Sequence, residues 1–326
     1  MISALLVVFA PALLFAQDPS IVAPGAKLER LFGDGFFTEG PAPAPDGSVY
    51  FSDITFGVKA SGYQAGHIWR WDPRTGTTAV FRSPSGMSNG MVFDAQGRLV
   101  VAEGAAFGAR RITRTDMTTG RSVIVTGLFN GRPYNSPNDL ALDARGRIYF
   151  TDPRYVGWEP IEQPVQGVYR IDLEGRVSLV VADAGKPNGI AVSPDQATLY
   201  VGANDNGSLG DLPPETPAAP GRKALLAYDL APDGSAKFRR TVVDFSPAGP
   251  DGITVDRDGN IYCAVQGERQ GIYVYSPAGK QLAYIPTPES PTNVKFGRAG
   301  DAQTLFITAG KSLYRIRVER TGVTRE

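Results

Sequence analysis

One unit recurs six times in this chain, and that repetition limits the possible fold more than any other feature. The unit is a polar residue, an apolar triplet, a tight polar turn and an apolar strand. It reads EGPAPAPDGSVYFSD from Glu39, NGMVFDAQGRLVVAE from Asn89 and NDLALDARGRIYFTD from Asn138. It returns as NGIAVSPDQATLYVGA from Asn188, DGITVDRDGNIYCAV from Asp251 and NVKFGRAGDAQTLFITA from Asn293. The leading residues lie 50, 49, 50, 63 and 42 positions apart. The long interval holds a Pro/Gly-rich insertion within 204–223 that reads as an exposed loop. Second strand pairs such as GHIWRWDPRTGTTAVF and GIYVYSPAGKQLAYI fill the gaps between units. Each repeat therefore carries four strands, the content of one propeller blade. The expectation is an all-β, six-bladed β-propeller over residues 30–326, with two separate β-domains as the alternative.

A propeller turns one repeat position into a ring at one end of its central channel. Here that ring is Glu39, Asn89, Asn138, Asn188, Asp251 and Asn293, two carboxylates and four amides with no lysine or arginine among them. Six such side chains on a narrow axis cannot all satisfy one another, whereas a hard divalent cation accepts carboxylate, amide and water oxygens together. The competing reading is that Asn, Asp and Gly simply open turns. Asp94, Asp143 and Asp258 shortly precede glycines inside the hairpins and read as turn chemistry.

The N-terminus is apolar from Ile2 to Ala16 and then turns polar. It is too short for a comfortable bilayer span and reads as a cleaved signal peptide, residues 1–16, although its first residues carry no Lys or Arg; a buried strand is the alternative. The expected domain order is then signal peptide, an N-terminal segment 17–29 and the propeller, in an exported protein, periplasmic or secreted, with no membrane attachment after cleavage. With 33 Lys plus Arg against 33 Asp plus Glu the net charge is zero, which gives no electrostatic reason to expect nucleic acid. The one cysteine, Cys263, cannot form an internal disulfide and reads as a buried small hydrophobe. The one histidine, His67, sits on an expected blade strand, and no G-x-S-x-G elbow is present. These counts argue against a serine-hydrolase triad and exclude a His/Cys zinc site.

TEGPAPAPDGSVYFSD, NSPNDLALDARGRIYFTDPRY, KPNGIAVSPDQATLYV, GPDGITVDRDGNIYCAV and the closing TLFITAGKSLYRIRV resemble the SMP-30/gluconolactonase/LRE family, in the family's order and over roughly residues 30 to 318. The resemblance implies a propeller with one divalent cation, calcium first and zinc or magnesium as alternatives, held by Glu39, Asn138, Asn188 and Asp251. It also implies a lactonase, with the carbonyl of a sugar lactone polarised by the ion and attacked by water, and with Asp251 as both ligand and general base. Glu39 is the competing base. The other two ring amides, Asn89 and Asn293, are candidates for substrate contact. So are Arg132 (or else a solvated loop arginine), Asp152 and Tyr155 of TDPRY, and Glu103. Around Glu103, VAEGAAFGARRITRT lacks the histidine of the family's Cys-Glu-His step, which puts the substrate in question more than the metal. Alternatives are an arylesterase or organophosphate-type propeller, and a non-catalytic propeller in which the metal is structural. The expected partner is a small-molecule lactone or ester.

Overall fold

Alternation of strand and tight turn resolves into six four-stranded antiparallel sheets in the computed structural model, which describes residues 18–55, 66–208, 212–217 and 221–323. The expected signal peptide lies outside these residues, as do 209–211 and 218–220 of the insertion. The innermost strands are Thr38–Pro43, Ser88–Phe93, Leu140–Leu142, Pro187–Val192, Pro250–Val255 and Pro291–Phe296. Five of them begin one or two residues before a ring residue, and the third begins two residues after Asn138. The remaining strands of the first blade are Val49–Asp53, His67–Asp72 and Thr77–Arg82, and the next four blades repeat the same order. The sixth blade is closed differently. Its outer strand is Glu29–Phe32, from the other end of the chain, paired antiparallel with Ser312–Arg317. That pairing joins first and last strands into one sheet and closes the ring. The preceding residues also dock: Ile21 and Val22 are buried against the fifth and sixth blades. Among the described residues the one helical element is a short 3-10 turn, Ala299–Asp301.

Burial explains why the strands read as nearly continuous apolar runs. Six large apolar clusters each join two neighbouring blades, such as Tyr50 and Ile68 of the first with Met91 and Val101 of the second. Phe51 and Trp71 likewise meet Phe306 and Leu313 across the closure. The inner strands of a blade are covered on both faces, so both sets of their alternating side chains are buried, as in Val49–Asp53 and Ile261–Val265. Cys263 is one of them, fully buried between the fourth and fifth blades, where burial pushes its thiol well up. His67 is structural as expected, its Nδ1 lying 2.8 Å from Ser83 Oγ.

The turn aspartates behave as expected in two repeats. Asp94 accepts the backbone N–H groups of Gln96 and Arg98, and Asp143 those of Arg145 and Arg147. In the fifth repeat the equivalent residue is Asp256, which accepts from Asp258 and Asn260. Asp258, expected in that role, instead pairs with Arg320 on the outside. The DRDG turn offers two aspartates, and only the first, five residues before the strand Ile261–Val265, reaches both N–H groups.

Candidate metal and lactone site

Five of the six innermost strands break register at their leading polar residue. The shifts fall at Glu39/Ala42, Ser88/Met91, Pro187/Ile190, Pro250/Ile253 and Pro291/Asn293. A bulge there re-aims one side chain out of the ladder and toward the axis. The third blade reaches the same end without one: its strand starts at Leu140, after Asn138 has donated to the Thr151 carbonyl at 2.8 Å. Close approach of the blades explains the glycine that follows most ring residues. A Cβ on Gly40 would lie 2.1 Å from the Asn89 carbonyl oxygen, and one on Gly189 2.3 Å from that of Asp251. Hydroxyls on neighbouring strands fasten the same backbone, Ser52 to the Asn89 carbonyl and Thr151 to that of Asn188.

These devices bring Glu39, Asn89, Asn138, Asn188 and Asp251 to the wall of one cavity of about 170 Å³ at the end of the channel. Oδ1 of Asn89, Asn138, Asn188 and Asp251 is buried there and accepts no hydrogen bond. Buried acceptors left without a donor are costly, and several around one cavity mark a place for a positive charge. Among the described residues no three His, Cys, Asp or Glu side chains converge on a metal-sized point. The donor set is instead two carboxylates supplemented by amide oxygens, which suits a hard ion such as calcium and not a thiophilic one.

Electrostatics point the same way. Burial pushes the Glu39 carboxyl up to about 7, with the Asp139 charge adding to it and hydrogen bonds from Gly40 N–H and Asn293 opposing it. Asp251 is held well above the usual carboxylate range by burial, then by the charges of Glu39 and Asp139, against the nearby Asn188 amide and the hydrogen bond from Gln266. Three acids near one axis repel, and a cation relieves that repulsion. Asp139 is already compensated. Lys295, on the opposite blade, reaches across the channel to its Oδ2 at 3.2 Å and to the Ile253 carbonyl at 3.0 Å. This pair lies between the site and a second cavity of about 130 Å³, which is lined mainly by the far, apolar halves of the innermost strands.

Partners outside the repeat fix the orientation of the ring residues. Gln266 Nε2 donates to Asp251 Oδ2 at 2.7 Å, leaving Oδ1 turned to the cavity. The Tyr155 hydroxyl accepts from Asn188 Nδ2 at 3.3 Å and donates to the Asn204 carbonyl at 2.7 Å, so the Asn188 amide presents its oxygen inward. Lys186 Nζ lies 4.3 Å from the centre of the Tyr155 ring and donates to the Gly207 carbonyl, which ties the start of the insertion to the site. Asn204, Asn206, Gly207 and Ser208 accordingly line the cavity. Gln266 and Lys186 carry no motif of their own, and repeat reading passed over both.

Of the residues expected to touch substrate, Tyr155 and Asn89 line this cavity and four do not. Glu103 is 2 % exposed, and its oxygens are taken by Arg111 Nε at 2.7 Å and Thr113 Oγ1 at 2.8 Å, toward the outside of the second blade. Arg132 is exposed on a two-stranded hairpin, Leu128–Phe129 with Arg132–Pro133. Asp152 is fully buried and accepts the N–H groups of Asn135 and Ser136, which shapes the turn delivering Asn138. Asn293 lies behind the cavity wall, donating to Glu39 Oε2 at 3.3 Å.

Fold and site together define a six-bladed propeller with an acidic, oxygen-lined axial cavity. The chain belongs to the SMP-30/gluconolactonase/LRE-like family, whose sequence profile matches residues 37–311. It is 31 % identical over 327 residues to the gluconolactonase of Zymomonas mobilis, covering 93 % of this chain and 84 % of that protein. A solved gluconolactonase structure from Xanthomonas campestris is 30 % identical, with a TM-score of 0.76 over 92 % of this chain and 91 % of that one. Another, provisionally assigned as a gluconolactonase, is 27 % identical with a TM-score of 0.78 over 94 % and 96 %.

Proposed function

We propose that this chain, a lactonase by the family and relatives it matches, opens a sugar lactone such as glucono-1,5-lactone with the help of one divalent cation, calcium first. Glu39, Asn138, Asn188 and Asp251 would hold the ion. The observation that carries this reading is the set of unpartnered Asn138, Asn188 and Asp251 oxygens around one cavity beside Glu39. When bound, the ion supplies positive charge that lowers the proton affinity of the acids and favours developing negative charge on the lactone carbonyl.

Asp251 would act as general base. With Oδ2 fixed by Gln266, Oδ1 is the face from which it takes a proton from an attacking water. The water oxygen bonds to the carbonyl carbon, the bond from that carbon to the ring oxygen breaks, and the proton on Asp251 passes to the departing ring oxygen. The product is the open-chain hydroxy acid. Glu39 is the competing base, with its Oε2 engaged by Gly40 N–H at 2.8 Å and by Asn293. The test is acid release from glucono-1,5-lactone by chelator-treated protein before and after calcium is restored. Calcium-dependent turnover above the spontaneous rate, lost in Asp251→Asn, is the expected result. Turnover at full rate in that variant would remove Asp251 from the mechanism.

A further inference from the structure

The cavity has two unlike walls. Blades one to three contribute Phe37, Ile54, Met87 and Val156 on one side, together with Ser136, whose hydroxyl oxygen already accepts from Ala105 N–H at 2.9 Å. Ile54 and Met87, 7 % and 2 % exposed, form a small apolar cluster with Ala106, and Phe37 and Val156 pack against it. Blades four and five contribute Asn204, Ser208 and Gln266 on the other. Asn204 is 3 % exposed, and its Oδ1 is buried with no donor, an acceptor waiting for a hydroxyl. Among the described residues no lysine or arginine lines the cavity.

The apolar wall is held in an uncommon backbone. Met87 and Ala106 both have positive φ, 55° and 62°, a conformation that side-chain-bearing residues rarely adopt. Such strain persists where surrounding structure imposes it, and it clusters at ligand sites. Gly104 N–H donates to the Met87 carbonyl at 2.8 Å, and the Thr55 hydroxyl sits 3.9 Å from its sulfur.

The lactone ring matches this division. With its carbonyl carbon over the acidic cluster, a 1,5-aldonolactone has C2 and C3 with their hydroxyls along one edge. The ring oxygen and C5, with the C5 substituent, form the other. If the hydroxylated edge faces Asn204 and its neighbours, the C5 substituent meets Phe37, Ile54, Met87 and Val156. A hydroxymethyl group there would place its hydroxyl against carbon, whereas a methyl group would be buried without loss of a hydrogen bond.

We propose that this apolar wall makes the site selective for aldono-1,5-lactones with an apolar C5 substituent, that is, 6-deoxyaldonolactones, over their 6-hydroxy parents. The proposal rests on the lactonase reading above and names its substrate class.

The test compares D-glucono-1,5-lactone with its 6-deoxy analogue on calcium-supplied protein, corrected for spontaneous opening. The expected result is a kcat/KM about tenfold or more higher for the deoxy compound, the usual scale of discrimination by one small group in an apolar pocket. Val156→Thr places a hydroxyl on the wall at nearly constant shape, and the ratio within that variant falls toward one even if its overall rate changes. Equal kcat/KM for the two lactones, or a ratio that Val156→Thr leaves unaltered, overturns the proposal. Calorimetric binding of the two corresponding unreactive 1,5-lactams keeps the two claims apart. Tighter binding of the 6-deoxy lactam, with neither lactone hydrolysed, upholds the wall and defeats the hydrolase reading. Equal binding defeats the wall.

Discussion

Asp251 depends on a residue that no motif marks. Gln266, fifteen positions on, fixes one of its carboxylate oxygens and leaves the other unpartnered for the base role proposed for it. A hydrogen bond to a charged group contributes about 1.5–3 kcal/mol. Gln266→Leu should therefore lower kcat/KM roughly ten- to a hundredfold, since about 1.4 kcal/mol is one decade. The fold should be spared, because Gln266 is half-buried at the cavity wall and outside the inter-blade clusters. Steady-state kinetics beside thermal unfolding of the variant checks both halves; an unchanged rate would show that Asp251 needs no such anchor. At this scale the sequence revealed what repeats and hid what does not. Glu39, Asn138, Asn188 and Asp251 occupy one repeat position and could be collected by alignment of the copies. Gln266 and Lys186 follow no periodicity, and Tyr155 stood out as a candidate contact without showing that it also orients Asn188. Glu103 and Asp152 misled for a physical reason: a buried carboxylate satisfied by nearby donors looks, in sequence, the same as one waiting for substrate.

The innermost strands carry a second lesson, because their start is where the site is made. A register break plus a glycine lets successive ring residues crowd the axis. Gly189→Ala would push a methyl group to 2.3 Å from the Asp251 carbonyl and 2.7 Å from Ile253 N. We expect a loss of about 3 kcal/mol, the upper end of the usual cost of overpacking, and weaker calcium binding, both read from denaturant unfolding with and without the ion. Unaltered stability would mean that the blades can part at no cost. The blades themselves were legible from alternating apolar residues and turn signals. The closing strand Glu29–Phe32 was not, because its partner Ser312–Arg317 lies almost the whole chain away and local patterning carries no sign of the pairing.

For the molecule as a whole, the buried acids link stability to pH. Burial raises Glu39 and Asp152 to about 7, each in the folded state only, and Asp251 well above its ordinary value. A carboxyl whose folded pKa lies above its unfolded one favours folding at low pH, and that contribution is lost as pH climbs through the folded value. Metal-free protein should thus lose stability between about pH 4 and pH 7, at up to about 1.4 kcal/mol per pH unit for each group. Calcium bound as proposed would offset the charges of Glu39 and Asp251, so the rise in Tm on adding it should be larger at pH 8 than at pH 5. A calcium-induced rise independent of pH would contradict this linkage.

The most direct test of the central claim follows calcium occupancy and glucono-1,5-lactone turnover in the same sample of initially metal-free protein. One site per chain is expected, lost or weakened at least about tenfold in Asn188→Leu, with turnover rising in proportion to its occupancy. Full turnover with the site empty of any divalent ion would contradict it.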